Sequence, residues 1–580
     1  MSIASQFATQ STKDRKRGLA LLIAALCAGQ ASANETGAGS ADSQNSVVLE
    51  EVLVTAQKRE ESLQSVPMAV SALTAQAIEN AGINNMSDVS RQVPVLEVQS
   101  SVTPVFTNFR IRRVGNLGNI PTFEPAVGLF VDGAFRSRAI FGAADMFDLD
   151  RIEILRGPQS TLYGKNTTAG VVGIYTAAPS DKLKMRGEAT VGNIEGGAGD
   201  VTSTQFKAGV SGPLSDTFRA GISGSYTDHG PTMGEALANS GSNSNDTHRY
   251  SARGQMSWDA TDALNLRFIA GAIQENDPHN RITCVQQPLT TDLDARDATL
   301  LANYKFTNGM TLSSITSWDY FMFHGTMDDV AQMNAPLLKF RDVQESSSLQ
   351  QELRLTSADD QKITWLAGAF YYENQFKRGD DGKNPVFLGD TYSSAPAVLA
   401  VNNLIFGAPI PIAAPGQVGY LASNLDTEYY AVYGQAKWHI TDQVGITAGV
   451  RGQEETKDSN IRQWVNIPGA SVLSLKLTPA AISATGLTRT SDAVTWQVTP
   501  DWKVTDDVML FATASKGFKS GGYNTGFGAL SIAQREFGDE DIMHYEAGAK
   551  FDLWNGRARL ATSVFQTDFD NYQDAAFVGG

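Results

Sequence analysis

Few side chains in this sequence are placed to make or break covalent bonds. Of the two cysteines, Cys27 falls in a segment expected to be removed and Cys284 stands alone in a polar stretch, so neither a disulfide nor a reactive thiol is expected. The six histidines (His229, His248, His279, His324, His439 and His544) are scattered singly. That spacing suits loop, interface or lumen positions rather than a metal site or a catalytic base. No G-x-S-x-G or H-E-x-x-H pattern offers a hydrolytic centre. Gly157, Gly164 and Lys165 look like pieces of a phosphate loop, but six residues separate the glycines and Asn166 follows the lysine, where four residues and a Ser or Thr are needed. The expectation is no enzyme: no catalytic residue, no bound metal and no cofactor.

The charges carry more information, because strand alternation fixes which way they face. In FRIRRVG, Phe109 to Gly115, Arg110 and Arg112 share one side, while Phe109, Ile111 and Arg113 share the other. Glu352 shares a polar face with Gln350 and Arg354, opposite Leu353 and Leu355. Glu546 shares one with Gly548 and Lys550, opposite Tyr545, Ala547 and Ala549.

The elements that must position these residues are mostly strands. At 580 residues the chain is too long for one ordinary core, and 53 glycines with 9% aromatic and only 19% charged residues suit many two-faced strands joined by turns. A formal charge of −16, without clustered Lys and Arg, argues against nucleic acid as a partner. Lys13, Arg15, Lys16 and Arg17, then apolar Leu19 to Leu26, then Ala31-Ser32-Ala33 form a secretory signal with cleavage expected after Ala33. Nothing later reads as a membrane helix, so a membrane-spanning mature chain must be a barrel.

From about residue 183 the pattern is period two, as in Phe218, Ala220, Ile222, Gly224 and Tyr226, and again in Tyr430, Val432, Gly434, Ala436, Trp438 and Ile440. Seven tight turns punctuate it, at Ser215-Asp216, Thr261-Asp262, Asn308-Gly309, Asp359-Asp360, Thr441-Asp442, Thr505-Asp506 and Asn555-Gly556. Between them lie long polar stretches read as loops, for example Thr227 to Asp246, Gln274 to Asp297 and Lys377 to Asp426. Short turns at one end and long loops at the other mark an outer-membrane barrel. The count is about fifteen strands, an odd number. Since the next strand of a closed barrel should begin near Gly580, the sequence is expected to be a fragment or a truncated gene product, and its open edges should not persist alone in lipid.

Ahead of the barrel, Ile152 to Thr176 reads IEILRGPQSTLYGKNTTAGVVGIYT, and here the chain resembles the plug signature of TonB-dependent outer-membrane receptors. FRIRRVG, VGLFVDG at Val127 to Gly133 and EEVLVTAQKREESLQSVP at Glu50 to Pro67 follow the order of that family. Arg113 stands where the family usually has Gly, and Gly173 where Asn is common. Losing the glycine leaves the loop shape at Arg113 open, because it removes easy access to positive φ.

The resemblance implies an all-β-dominated protein, with an α+β plug inside a large antiparallel transmembrane barrel of about 22 strands, of which about 15 are present here. Its expected organisation is a signal peptide at 1–33, a flexible segment at 34–60, a plug at 61–180 and a barrel at 181–580, incomplete at its C-terminus. It implies that Glu51, Val52, Leu53, Val54, Thr55 and Ala56 form the box that TonB grips as an added strand. The β-prone Val52 to Val54 behind a polar lead, Asn34 to Asn45, would leave an edge free; the alternative is that this run simply opens the plug fold.

Arg156, Gly157, Pro158, Tyr163, Gly164 and Gly170 carry the plug signature. Arg112 matches the arginine of the plug motif and is expected to pair with Glu352, Glu546 or both as a lock, unless Glu352 pairs along its own face with Arg354. The apical loops 100–108, 116–125 and 135–143, with Phe106, Phe123, Arg136 and Arg138, are the candidate ligand contacts, where aromatic and Arg side chains suit an anionic, ring-bearing chelate; the alternative is that these residues pack loop against barrel. The implied function is uptake of a scarce extracellular ligand, a ferric siderophore first, with cobalamin, haem or carbohydrate as alternatives. The implied setting is the outer-membrane lipid of a Gram-negative bacterium, with TonB, ExbB and ExbD as energy partners. A passive porin or adhesin barrel and a secreted β-rich enzyme are the rival readings.

Overall fold

The computed structural model describes residues 51–574 apart from 101–106, 117–121, 144–145, 197–198, 231–246, 278–290, 330–337, 380–386, 390–398, parts of 401–416, 467–470, 472–481 and 527–529. The signal segment, the polar lead, Phe106, His279 and Cys284 lie outside the described residues.

The N-terminal part is a small α+β body. Strands β1 (Leu53–Val54) and β2 (Glu61–Ser62) form a hairpin, followed by β3 (Val70–Thr74), α1 (Ala75–Asn80), α2 (Met86–Gln92), β4 (Leu96–Ser100), β5 (Thr107–Ile111), β6 (Val127–Val131), β7 (Ala134–Arg136), α3 (Ile140–Ala143), β8 (Leu149–Arg156) and β9 (Gly170–Thr176). The helices start where polar side chains can cap them: Thr74 accepts from the Ala77 N–H and Asn85 from the Asp88 N–H. Five strands make one sheet in the order β3-β8-β9-β6-β7, with β6 and β9 parallel. The unbroken apolar run of β6 fits this position, because both faces are covered.

Strands β4 and β5 pair separately, and β5 stops at Ile111. Ile111 and Val114 exchange two backbone hydrogen bonds of 3.0 Å, and Arg112 and Arg113 turn the chain between them at φ 55° and 65°. Both central residues are left-handed, the geometry of a type I′ turn normally filled by Asn-Gly. Arg113 thus keeps the glycine-like backbone without the glycine. The expectation that pleat alternation aims Arg112 is corrected: a turn beyond the strand end aims it.

The rest is a sixteen-stranded antiparallel sheet in which fifteen strands follow in chain order, from Lys184–Gly196 to Ala558–Asp570, while short Phe387–Gly389 pairs off the path. All seven expected turns fall between consecutive strands. Fifteen alternating strands leave the first and last running the same way, and the two are not paired with each other among the described residues. The stretches read as long loops are shorter than expected. Strands reach Asp277 and resume at Thr291, and reach Gly379 and, apart from short Phe387–Gly389, resume at Val418, so ladder pairing runs into the polar segments.

The alternation faces as the sequence implies. Val432 is 66% exposed on the outside, while its neighbours Ala431 and Tyr433 are buried in the lumen. The plug has no separate core: Ile111, Ile152 and Val172 cluster with barrel Phe321 and Phe323, and Val54, Tyr163 and Val171 with barrel Tyr372, Tyr429 and Tyr433. Between the strands Val508–Lys519 and Glu540–Leu553 the chain folds inward as a small ladder, Gly522–Tyr523 with Glu536–Phe537. Among the described residues no helix is long and apolar enough to cross a membrane.

Candidate functional site: coupling segment, plug and barrel wall

The segment Glu51 to Ala56 is not a free edge here, which corrects that expectation. Strand β1 is paired with β2, and Val54 and Ala56 are fully buried. The Thr55 N–H and hydroxyl donate to Glu153 Oε1 at 2.8 and 3.2 Å, and Arg151 Nε donates to the same oxygen at 2.8 Å. The Tyr163 hydroxyl donates to the Thr55 carbonyl at 3.2 Å, tying the segment to the plug signature. Glu51 and Leu53 remain exposed. Apolar Val54 and Ala56 make the closed state favourable, since each removes its side chain from water.

Immediately after it, Lys58 crosses to the barrel. Its Nζ lies 2.6 Å from Glu352 Oε1 and over the rings of Tyr163 and Tyr433 at 5.4 and 5.0 Å. Burial lowers the pKa of Lys58 to about 8, against the opposing pull of Glu352. Glu352 also accepts from Arg354 at 3.3 Å and from the Tyr433 hydroxyl.

Arg112 lies elsewhere on the wall. Its guanidinium reaches Glu546 with Nη2 to Oε1 at 2.6 Å and Nη1 to Oε2 at 3.4 Å, touches Ser563 at 3.2 Å, and stacks over Phe565 at 3.8 Å. Of the two carboxylates named from the sequence, Arg112 therefore meets Glu546 alone. Glu352 is held by Lys58 and by its own-face neighbour Arg354, because the β5 turn presents Arg112 to the strand Glu540–Leu553 and not to Leu338–Thr356. Arg156, in the signature, bonds to Ser71 within the plug.

The two arginines named as candidate ligand contacts follow the alternative reading here, packing against the barrel. Arg136 is 3% exposed and donates to Ser317 at 2.8 Å, Asp297 at 2.8 Å and Thr299 at 3.1 Å, all on the barrel. Arg138 is half-buried, over the Phe376 ring at 4.6 Å. Both point into the wall, since the β7 edge is pressed against it: Gln350 accepts from the Phe135 N–H at 3.1 Å and donates to its carbonyl at 2.7 Å. Phe123 is half-buried and stacks on Phe537 of the inward ladder at 4.5 Å.

Next to Phe123, Glu124 enters a buried quartet that sequence reasoning missed. Lys165 lies 2.5 Å from Glu124 and 2.6 Å from Glu455, and Lys457 lies 3.2 Å from Glu124 and 3.1 Å from Glu455. Burial alone would raise the Glu124 carboxyl; the two ammoniums overcome it and hold it well below its ordinary 4.5. The available signal was the polar run Arg451, Gln453, Glu455 and Lys457 at every second residue, too polar to face lipid.

Signature Gly164 sits against this wall at φ 76°, and a Cβ there would come 2.5 Å from the Arg451 guanidinium carbon. Only glycine satisfies both the backbone and the space. Arg451 itself donates to the Tyr429 hydroxyl at 3.0 Å and is stacked among Phe370, Tyr429 and Tyr433.

Comparison with known proteins agrees with this assembly. The TonB-dependent receptor-like β-barrel family matches residues 239–580, and the TonB-dependent receptor plug domain matches 62–171. The pesticin receptor of Yersinia pestis is 23% identical over 546 residues, 91% of this chain and 72% of that protein. The metal-pseudopaline receptor of Pseudomonas aeruginosa is 22% identical, covering 88% and 68%. Among solved structures, the ferric yersiniabactin uptake receptor of Yersinia pestis superposes with a TM-score of 0.70 at 19% identity, over 87% of this chain and 73% of that one. The ferripyoverdine receptor of Pseudomonas aeruginosa gives 0.61 at 15% identity, over 90% and 66%. With a plug and a barrel each matched in place, and the signature loop seated on the wall, this chain belongs to the TonB-dependent receptor family.

Proposed function

We propose that the protein sits in the outer membrane of a Gram-negative bacterium, binds a ferric siderophore outside and admits it to the periplasm when TonB, driven with ExbB and ExbD, pulls on Glu51 to Ala56. The observation that carries this reading is mechanical. The segment is bonded both to the plug signature, through Tyr163, and to the barrel, through Lys58 and Glu352, so tension on it loads the plug directly. The siderophore receptors among its relatives support the ligand class. Deleting residues 46 to 57 is expected to abolish uptake while leaving surface binding intact; uptake at full rate would favour a passive channel. A gene knockout grown on a panel of iron chelates, haem, cobalamin and carbohydrates identifies the ligand.

A second reading, a cobalamin-like, haem or carbohydrate ligand, draws on the charge balance at the plug top. There two lysines face two glutamates, and Arg136 and Arg138 are turned into the wall, so an anionic chelate gains little from them. The same panel separates the two.

A further inference from the structure

The signature loop touches the two ends of the machine within three consecutive residues. Tyr163 bonds to the Thr55 carbonyl and lies against Lys58, at the level of Tyr433. Lys165 bonds to Glu124, the neighbour of Phe123 on the apical side, and to Glu455. Gly164 between them is flush with Arg451, which stands on the same barrel strand four residues before Glu455. At about 3.3 Å per residue, the backbone positions of Arg451 and Glu455 are roughly 13 Å apart. A side chain at position 164 would strain the left-handed backbone and crowd the Arg451 guanidinium, so this glycine lets the loop lie close to the wall between its two contacts.

We propose that Tyr163, Gly164 and Lys165 form the link through which the apical face reports to the coupling segment. Lys165 senses whether Glu124 is in place, and Tyr163 releases or retains Thr55 accordingly. The physical basis is a short, stiff tether. Glu124 holds Lys165 up against the wall, Arg451 forbids sideways drift, and the Tyr163 hydroxyl keeps β1 closed. An object that displaced Phe123 and Glu124 would leave Lys165 and Lys457 to share Glu455, replacing a charge-neutral quartet by a triad of net charge +1 that holds Lys165 with one attraction fewer, and the loop would be freer to shift. Tyr163 and Lys165 are thus positioning residues, acting on the coupling segment and not on the ligand. The inference rests on reading Glu51 to Ala56 as the segment that TonB grips.

The test needs neither TonB nor a ligand, so it can fail independently of the uptake experiment. Ala56→Cys in a Cys284→Ser background places a reporter at a fully buried position, and its maleimide labelling rate in isolated outer membranes measures how often the segment opens. Glu124→Gln, which keeps shape and removes charge, is expected to raise that rate about 5-fold or more, the lower end of ordinary coupling energies. Tyr163→Phe, which removes only the hydroxyl, is expected to raise it as well. The double variant should label no faster than the faster single one, because both cut one link. Asp297→Asn cuts a plug contact off this route and should leave labelling unchanged while heat-modifiable migration confirms a folded barrel. The proposal is overturned if Glu124→Gln has no effect, if the two substitutions multiply, or if Asp297→Asn opens the segment equally.

Discussion

Three cations of the plug each meet a barrel glutamate at 2.6 Å, and among them Lys58 with Glu352 and Arg112 with Glu546 are different devices. Arg112 uses two nitrogens on the carboxylate, a third contact to Ser563 and a ring beneath it, an arrangement that only a planar guanidinium can fill. Lys58 offers one ammonium, whose partner already has Arg354 and Tyr433. Removing Arg112 leaves a buried carboxylate hydrogen-bonded, among the described residues, to His544 and Ser563 but without an ion pair of its own, whereas removing Lys58 leaves Glu352 still paired. The Arg112 contact loses its cation outright when broken, whereas the Lys58 contact leaves its carboxylate compensated.

The largest expected effect tests the Arg112 contact. Arg112→Ala should cost roughly 3–5 kcal/mol of plug retention, as breaking a buried pair does, and protease cleavage of the plug in folded barrels should rise accordingly. Arg113→Ala, at a side chain 89% exposed and 4.0 Å from Glu97, should barely change it. Equal plug release in the two variants would erase the distinction.

The Lys58 contact should respond to pH. Lys58 has a folded pKa of about 8 against an ordinary 10.5, so it loses its proton in the folded chain first. Between those values the unfolded chain binds more protons, so this group makes global stability rise with pH even as its ion pair disappears. The expected signature is local: labelling of a cysteine at position 56 accelerates, after correction for thiolate formation, as pH passes through about 8, and Lys58→Met abolishes that step. A step that survives the substitution would move the switch to another group.

The smallest effect concerns the turn that aims Arg112. Arg113→Gly restores the residue that a left-handed φ of 65° favours and should stabilise the plug by about 1 kcal/mol, read as a higher midpoint for heat-induced plug release. A loss of stability instead would mean that the exposed Arg113 side chain contributes more than its backbone costs.

The sequence made the sheet legible because lipid and lumen differ, and period-two hydropathy records that difference at every strand. The same physics explains the shortened loops: where a strand such as Thr291–Lys305 rises past the apolar band, its outer face is polar while Thr291, Leu293 and Ala295 stay buried within, so Asp292, Asp294 and Arg296 looked like loop while the ladder continued. The seven turns were legible from their own residues. Partner identity was not. Lys58 and Glu352 are 294 residues apart, and Lys165 and Glu455 are 290 apart, and the height and rotation of the plug inside its wall leave no periodic trace. Alternation found Glu546 and Glu352 as inward carboxylates, but could not say which cation reaches which, and it could not see that the β5 turn, not a strand face, aims Arg112.

The amide of Gln350, bonded in both directions to the backbone of Phe135, has a consequence for assembly. Strand β7 is the last of the plug sheet, and its open side is closed by a side chain of the wall instead of another strand. A plug that folded ahead of its barrel would present that side, with Phe135 beside it, to any other chain nearby, and exposed strand edges are where aggregation begins. The enclosure therefore serves as the plug's final strand, and the order in which the two parts form decides whether the edge finds its glutamine or a stranger.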